Sequence, residues 1–215
     1  MPRIRAPVPS AMIVKLPFSE SAVETTTLNS GHTYFTKTIK ANSIFDPDNT
    51  AGQPRWHDQW ATMYNRYYVR RCTVKWRIMN TANSFGAWFY TAIVPYRAGA
   101  GSPYIVANIN SALMSDVKEL AKRPGHRFYP KLHKPPGAGQ GILVYDSRSI
   151  VPAFWLDGKD RQTDNSAAFG ADPPQVVNMD INMHSLVDAS VRTYYMEIMV
   201  EYEVCMYDPK DPGPS

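Results

Sequence analysis

The stretch "VRTYYMEIMVEYEVCMY" (Val191 to Tyr207) has a period of two residues. One set of positions carries large apolar or aromatic side chains: Tyr194, Met196, Ile198, Val200, Tyr202, Val204 and Met206. The positions between them include three glutamates, Glu197, Glu201 and Glu203. Because successive side chains of a strand point to opposite faces, this period predicts a long β-strand with one buried face and one charged face.

A second stretch of the same period, "YYVRRCTVKWRI" (67–78), carries bases where the first carries acids. One face is predicted to hold Tyr68, Cys72, Val74, Trp76 and Ile78, and the other Val69, Arg71, Thr73, Lys75 and Arg77. Opposite charges on adjacent strands stabilise a sheet modestly. We therefore expect the two strands to pair, with a structural charge ladder that places Arg71, Lys75 and Arg77 beside Glu197, Glu201 and Glu203.

The composition favours an all-β protein over a helical one. The 215 residues include 18 prolines, 13 tyrosines and 5 tryptophans, which suit strands and turns better than long helices. We expect one domain over residues 1–215, with a short N-terminal arm at 1–10 and a tail at 208–215. Cys72 and Cys205 lie in strand-like runs and are predicted to be buried free thiols. No apolar run reaches the about 18 residues of a membrane helix, so no membrane partner is expected.

Six further runs have strand character, at residues 12–18, 33–40, 86–96, 126–133, 141–149 and 176–187. Long connectors at 41–67, 97–125 and 150–175 alternate with short ones, whereas a hairpin meander would have short connectors throughout. Eight strands with this alternation predict a jelly roll of two four-stranded antiparallel sheets with long CD, EF and GH loops. One helix is predicted in 111–123 and a short helical turn in 57–67.

No catalytic or metal-binding pattern is found. No two histidines have the short sequence spacing that is typical of metal sites; they are His32, His57, His126, His133 and His184. The run from Asp46 lacks the sixth-position glycine and twelfth-position glutamate of a calcium loop, so its aspartates are interpreted as turn residues. The sequence predicts no enzyme, no metal and no cofactor. A formal net charge of +4 only weakly favours a polyanionic partner.

The run "ANSIFDPDNTAGQPRWHDQW" (Ala41 to Trp60), continued through "YNRYYVRRCTVKW", resembles the capsid proteins of circovirus-like circular single-stranded DNA viruses (CRESS-DNA viruses). In that family a strand ends in an "ANS-aromatic-DPD" turn, followed by Gly-Gln-Pro, an Asp-x-Trp step, tyrosines and a strand rich in valine and bases. The match covers about 40 residues. The matching residues are Ala41, Asn42, Ser43, Phe45, Asp46, Pro47, Asp48, Gly52, Gln53, Pro54, Asp58, Trp60, Tyr64, Tyr67, Tyr68 and Val69.

The resemblance implies a viral jelly roll that self-assembles into a small icosahedral capsid around a circular ssDNA genome. The simplest shell has sixty copies of the chain (T=1). The implied partners are further copies of the chain and the genome, and the implied locations are the virion and, during assembly, the host nucleus. It identifies no host receptor. A lectin-like jelly-roll module that binds carbohydrate through Trp56, Trp60 and the aspartates is the alternative.

Arg3 and Arg5 are the expected nucleic-acid-binding residues, because the family carries a basic arm inside its shell. A disordered or subunit-clasping terminus is the alternative for this segment. Sixty copies at +4 each supply about 240 positive charges, whereas the roughly 645 nucleotides that encode 215 residues carry as many phosphates. Neutralisation of a genome by this chain alone would be incomplete.

The long connectors carry more aromatic side chains than connectors need. Exposed apolar patches of more than a few hundred Å² are rare on monomers, so these side chains are expected to be covered. Four of them are predicted subunit-interface anchors, namely Phe45, Trp56, Trp60 and Trp155. The covering surface is either the sandwich of the same chain or a neighbouring copy.

Overall fold

The computed structural model describes residues 8–25, 27–29, 32–80, 89–97, 131–133, 139–146, 165–185 and 193–210. This part of the chain holds ten strands and one short helix. The strands are β1 (Ala11–Thr25), β2 (Thr27–Asn29), β3 (His32–Lys40), β4 (Tyr64–Asn80), β5 (Phe89–Arg97), β6 (Lys131–His133), β7 (Gly139–Asp146), β8 (Ser166–Ala168), β9 (Val177–Ser185) and β10 (Thr193–Pro209), and the helix is α1 (His57–Ala61).

The strands form two antiparallel sheets in the order of a jelly roll. One sheet has the order β1-β10-β4-β7, with β8 paired to the start of β4, and the other has the order β2-β3-β9-β5-β6. In jelly-roll lettering these are the B-I-D-G and C-H-E-F sheets. The predicted all-β jelly roll is therefore correct. The long connectors that are described in whole or in part are the CD loop (41–63) and residues 165–176 of the GH loop.

The prediction of four strands in each sheet was wrong, because each sheet has five strands in the described part of the chain. The eight predicted strands are all present, and β2 and β8 are additional. Both are three residues long, too short to show a period in the sequence. The first strand is also longer than predicted, since β1 continues from 18 to Thr25, and the predicted tail starts inside β10, which ends at Pro209. The helix predicted at 111–123 lies outside the described residues.

The central pair of strands is β4 and β10, as the alternating patterns predicted. The alternate, inward positions of β10 from Tyr194 to Met206 are at most 2% exposed, and they pack with the inward side chains of β4 into one core. Ile198 and Val200, for example, lie opposite Trp76 and Val74 in this core. Burial of such alternating apolar rows on two facing sheets is what stabilises a β-sandwich.

A β-bulge in β4 changes the predicted faces at one end of the strand. The pairing with β10 shifts between Glu203, which lies opposite Arg71, and Val204, which lies opposite Val69, so Arg70 is the extra residue. An extra residue reverses the alternation, and the predicted placement of Tyr68 and Val69 was therefore wrong. Val69 is 1% exposed in the core. Tyr68 lies on the outer face, with its ring centroid 6.1 Å from that of Tyr207.

The outer face of this sheet carries the charges of the predicted ladder in a different pairing. The register places Arg77 opposite Glu197 and Arg71 opposite Glu203, but Lys75 lies opposite Met199. The ion pairs are Lys15 Nζ to Glu201 Oε1 at 2.9 Å and Arg70 Nη1 to Glu203 Oε1 at 3.3 Å. Among the side chains that the structure describes, none of Arg71, Lys75 and Arg77 forms an ion pair. The bulge explains part of this difference, because it brings Arg70 to Glu203.

The edge strand β1 and the two thiols fit the physical expectations. Pro17 lacks a backbone N–H, and it lies in β1, which pairs with β10 alone among the strands that the structure describes. Cys72 and Cys205 are free and buried. Burial raises the pKa of the Cys72 thiol well above its usual value, which disfavours the reactive thiolate.

Candidate functional site

The CD loop begins with hydrogen bonds that a strand end does not normally need. The side chain of Asn42, which is fully buried, donates from Nδ2 to the carbonyl of Gln175 at 2.8 Å and accepts from the N–H of Val177 at 2.7 Å. The N–H of Ala41 donates to the carbonyl of Val177 at 2.7 Å. One amide side chain therefore satisfies two backbone groups at the start of β9.

Four more polar side chains complete this arrangement, which we call the anchor network: Lys40, Asn42, Ser43, Tyr67 and Asp172. Ser43 Oγ donates to Asp172 Oδ1 at 2.6 Å, and Lys40 Nζ binds Asp172 Oδ2 at 2.8 Å. The hydroxyl of Tyr67 donates to the carbonyl of Ala171 at 2.8 Å and lies 3.1 Å from Ser43 Oγ. Burial raises the pKa of Tyr67 to about 12, so its hydroxyl stays protonated and can donate. The network fixes the start of the CD loop to the end of the GH loop.

The next residues form the turns that the aspartates predicted. Asp48 accepts hydrogen bonds from the N–H of Thr50 at 3.3 Å and from its hydroxyl at 2.6 Å, and Asp46 accepts from the N–H of Ala51 at 2.9 Å. These carboxylates are occupied by the loop itself. Asn49 and Ala51 have φ angles of 61° and 66°, in the left-handed region.

The middle of the loop packs on the edge strand β1. A Cβ at Gly52 would lie 3.2 Å from Cε2 of Phe18, so the absence of a side chain permits a close approach. The N–H of Arg55 donates to the carbonyl of Pro17 at 3.0 Å. Both contacts bring the loop to β1 just before Trp56.

Trp56 is exposed, and its backbone has an unusual conformation. Its φ angle is 73°, and a side chain this large is rarely found in the left-handed region. The side chain is 52% exposed, and the guanidinium carbon of Arg55 lies 5.1 Å from the ring centroid. A strained backbone of this kind costs about 1–3 kcal/mol and is most often found at functional sites.

The short helix α1 follows Trp56 and packs on the GH loop. The ring of His57, which is buried, lies 5.4 Å from the ring of Phe169, and its Nδ1 is 3.0 Å from Asp58 Oδ1. Trp60 is partly buried against the core, with its ring 6.3 Å from that of Tyr64. Trp60 is thus more fully covered by its own chain than Trp56 is.

The predicted site residues therefore have different surroundings. Trp56 is exposed, Trp60 and Phe45 are half-buried, and Arg3, Arg5 and Trp155 lie outside the described residues. Sequence reasoning missed the anchor network. Lys40 and Asp172 gave no signal for it, because a lysine at a strand end and an aspartate before two prolines are ordinary surface residues.

The structure gives no indication of a metal centre in the part of the chain that it describes, where no group of three or more His, Cys, Asp and Glu side chains converges. Among the same residues, no helix has both the length and the apolar composition needed to cross a bilayer.

Comparison with known proteins gives similarity at the level of structure. No family model matches the chain, and no curated protein matches it. Among solved structures it is similar to Mud crab tombus-like virus (TM-score 0.47, 10% identity, covering 94% of this chain and 92% of the other). It is also similar to Desmodium yellow mottle tymovirus (TM-score 0.46, 9% identity, covering 99% of this chain and 97% of the other). A third similar structure is the decameric BFDV capsid protein (TM-score 0.45, 9% identity, covering 91% of this chain and 98% of the other). At these identities the similarity assigns no function.

Proposed function

We propose that this chain is a structural capsid protein, a jelly roll that self-assembles into a closed viral shell. The observation that carries the proposal is Trp56, a large exposed side chain in a strained backbone conformation on a firmly anchored loop. This conformation lets Trp56 begin α1, with its carbonyl accepting from the N–H of Trp60 at 3.1 Å, but it leaves about half of the residue exposed. The exposure is explained if the ring is a contact residue for a neighbouring copy, since tryptophan and arginine are enriched among residues that dominate interface energies.

The residues that resemble circovirus-like capsid proteins support this proposal. Asn42 and Ser43 belong to the anchor network, Asp46 and Asp48 form the turns, and Gly52 allows the close approach to Phe18. These residues shape and hold the CD loop. A motif of this kind fits a protein whose function depends on the position of a loop, as a capsid subunit's does.

The finer proposal is a T=1 shell of sixty copies that encloses a circular ssDNA genome and is assembled in the host nucleus. Identical heterologous contacts that close around symmetry axes produce such a shell. Arg3 and Arg5 are proposed to contact the genome from the inner side. If they do, particles of an Arg3→Ala/Arg5→Ala variant will contain less nucleic acid, measured as the ratio of absorbance at 260 and 280 nm. Unchanged nucleic acid would refute this role.

A carbohydrate-binding role is less well supported. A sugar site would use free carboxylates beside an aromatic ring, but Asp46 and Asp48 are bound within the loop, and Trp60 is half-buried. Asp58 is exposed, but its Oδ1 lies 3.0 Å from Nδ1 of His57. An enzymatic role has no constellation of side chains to support it among the described residues.

Size-exclusion chromatography and negative-stain microscopy of the purified protein test the proposal directly. The wild-type chain should form regular particles, and the Trp56→Ala variant should give a folded chain, by circular dichroism, that remains small. Met63→Ala is the matched control, because Met63 is an exposed apolar residue at the end of the same loop, and it should assemble normally.

Two outcomes would contradict different parts of the account. A wild-type chain that stays monomeric over the whole concentration range would refute the capsid function. Normal particles of Trp56→Ala would leave that function standing and would refute only the role of Trp56.

A further inference from the structure

Three charged side chains from three segments meet inside one end of the sandwich. Lys37 of β3 lies between two carboxylates, with its Nζ 2.5 Å from Glu20 Oε1 of β1 and 3.9 Å from Asp48 Oδ2 of the CD loop. The side chains of Lys37 and Glu20 are 15% and 19% exposed, and that of Asp48 is 2% exposed. We call these three residues the acid–base triad.

The triad has one carboxylate more than it has bases. Two ionised carboxylates and one ammonium leave a net charge of −1 in a poorly solvated place, which is unfavourable. The second oxygen of Glu20, Oε2, is buried and has no hydrogen-bond partner among the described residues. A proton on this carboxyl group would neutralise the triad and give the unpartnered oxygen a hydrogen to donate.

The surroundings favour Glu20 over Asp48 as the group that takes up the proton. Burial raises the pKa of Glu20; the bond from Lys37 opposes this effect, and the nearby Asp48 adds to it. Although burial alone would raise the pKa of Asp48 as well, hydrogen bonds from Thr50 and the neighbouring Glu20 and Lys37 bring it below its usual value. Asp48 is therefore the stable anion of the pair.

We propose that the acid–base triad makes the docking of the CD loop on the sandwich proton-dependent, with the tightest docking at mildly acidic pH. Asp48 belongs to the loop, whereas Glu20 and Lys37 belong to the strands beneath it. A negative charge on Glu20 repels the loop through Asp48, and protonation removes this repulsion. The inference concerns a single chain and holds whether or not the chain forms a shell.

The sign of the effect follows from the direction of the pKa shift. An acid with a raised pKa in the folded state contributes stability that is fully present below its unfolded pKa, here about 4.5, and is lost as the pH rises through the folded value. The pKa shift of Asp48 has the opposite sign, so the stability that Asp48 contributes is lost only as the pH falls through its lowered pKa. The CD loop is therefore docked most tightly at pH values between the titration of Asp48 and that of Glu20.

Among the described residues, the recess beside Glu20 contains no base other than Lys37. Glu20, Ala22 and Glu24 of β1 line this small recess together with Lys37 of β3 and the apolar side chains of Met196 and Ile198 of β10. Glu24 is a second acid on the same inward face and is half-buried, so Glu24→Gln is a matched control for Glu20→Gln.

The test is urea unfolding of the full chain at several pH values from 5 to 8, at constant ionic strength. The wild-type unfolding constant should rise with pH by up to tenfold per unit within the titration range of Glu20. Glu20→Gln, which is permanently neutral, should lose this rise and be the more stable protein at pH 8. Glu24→Gln should behave as the wild type does.

Hydrogen exchange then locates the effect. After correction for intrinsic rates, protection of the Arg55 N–H, which bonds to Pro17 across the loop–strand contact, should fall with rising pH in the wild type and stay constant in Glu20→Gln. Asp48→Asn is the second variant, and it should reduce the pH dependence without abolishing it, because it removes the repulsion from Asp48 but leaves the burial that raises the pKa of Glu20. Parallel pH profiles of wild type and Glu20→Gln, or an equal effect of Glu24→Gln, would overturn the proposal.

Discussion

The inward rows of the β4–β10 pair and the anchor network are both largely buried, but they are held by different forces. The strand pair packs apolar side chains on one face, and any side chain of similar size and polarity would serve nearly as well. The anchor network instead consists of a few directed hydrogen bonds, in which Asn42, Ser43 and Asp172 each have a defined partner. Apolar packing therefore builds the sandwich, and directed hydrogen bonds position the CD loop on it.

This difference has an energetic consequence. Apolar packing is lost in proportion to the volume removed, whereas a broken polar network leaves unsatisfied groups that cannot reach water. The first kind of change should lower the stability of the whole domain. The second should release the CD loop first.

The largest effect is expected in the strand pair. Ile198→Ala removes a side chain that is 1% exposed and should lower the free energy of unfolding by about 2–5 kcal/mol, because it leaves a cavity in the core. The adjacent Met199→Ala is the control, since Met199 points outward and is 61% exposed; its effect should stay within about 0.5 kcal/mol. Urea unfolding measures both. Similar losses in the two variants would mean that the inward and outward faces are assigned wrongly.

An intermediate effect is expected in the anchor network. Asn42→Ala removes the hydrogen bonds that Asn42 makes to the carbonyl of Gln175 and the N–H of Val177, at a cost of about 1–3 kcal/mol for each lost bond in this buried place. Hydrogen exchange at Val177 should accelerate more than exchange in β10. Asn65→Ala serves as the control, because Asn65 is exposed at the start of β4. If the β10 amides accelerate as much as Val177, the loop and the sandwich unfold together and the comparison fails.

The smallest effect is expected on the outer face of the sheet. Lys15 and Glu201 form an ion pair with side chains 64% and 54% exposed, and such pairs contribute about 0.2–1 kcal/mol. A double-mutant cycle with Lys15→Met and Glu201→Gln should give a coupling in this range that decreases with added salt. A coupling much above this range, or one that salt does not change, would mean that the pair is not solvent-exposed in solution.

The sequence allowed the sandwich to be predicted because its information is periodic. Tyr194 to Met206 and Cys72 to Ile78 each place an apolar side chain at every second position, and period, loop lengths and complementary charges together determined which strands pair. The anchor network could not be predicted in this way. Lys40 and Asp172 are 132 residues apart and show no shared pattern, so only the folded chain reveals that they meet.

The loop itself was an intermediate case. Its aspartates were recognisable as turn residues from their neighbours Pro47 and Asn49, and α1 was expected within 57–67. The exposure of Trp56 was not predictable, because it results from a left-handed backbone at a residue type that seldom adopts one. The contact of Lys37 with two acids was equally hidden, since a lysine on the inward face of β3 contradicts the alternation by which strands are recognised.

The bulge at Arg70 shifts the inward–outward alternation of β4 by one residue. From Cys72 to Ile78 the even-numbered side chains point to the core, whereas before the bulge Tyr67 and Val69 point inward and Tyr67 joins the anchor network. The same sequence without a bulge would have a regular alternation along the whole strand, which would turn the side chains before residue 70 to the opposite face. Tyr67 would then lose its contacts with Ser43 and Ala171. One extra residue thus lets both segments of a continuous strand contribute side chains to the core while Tyr67 also holds the loop.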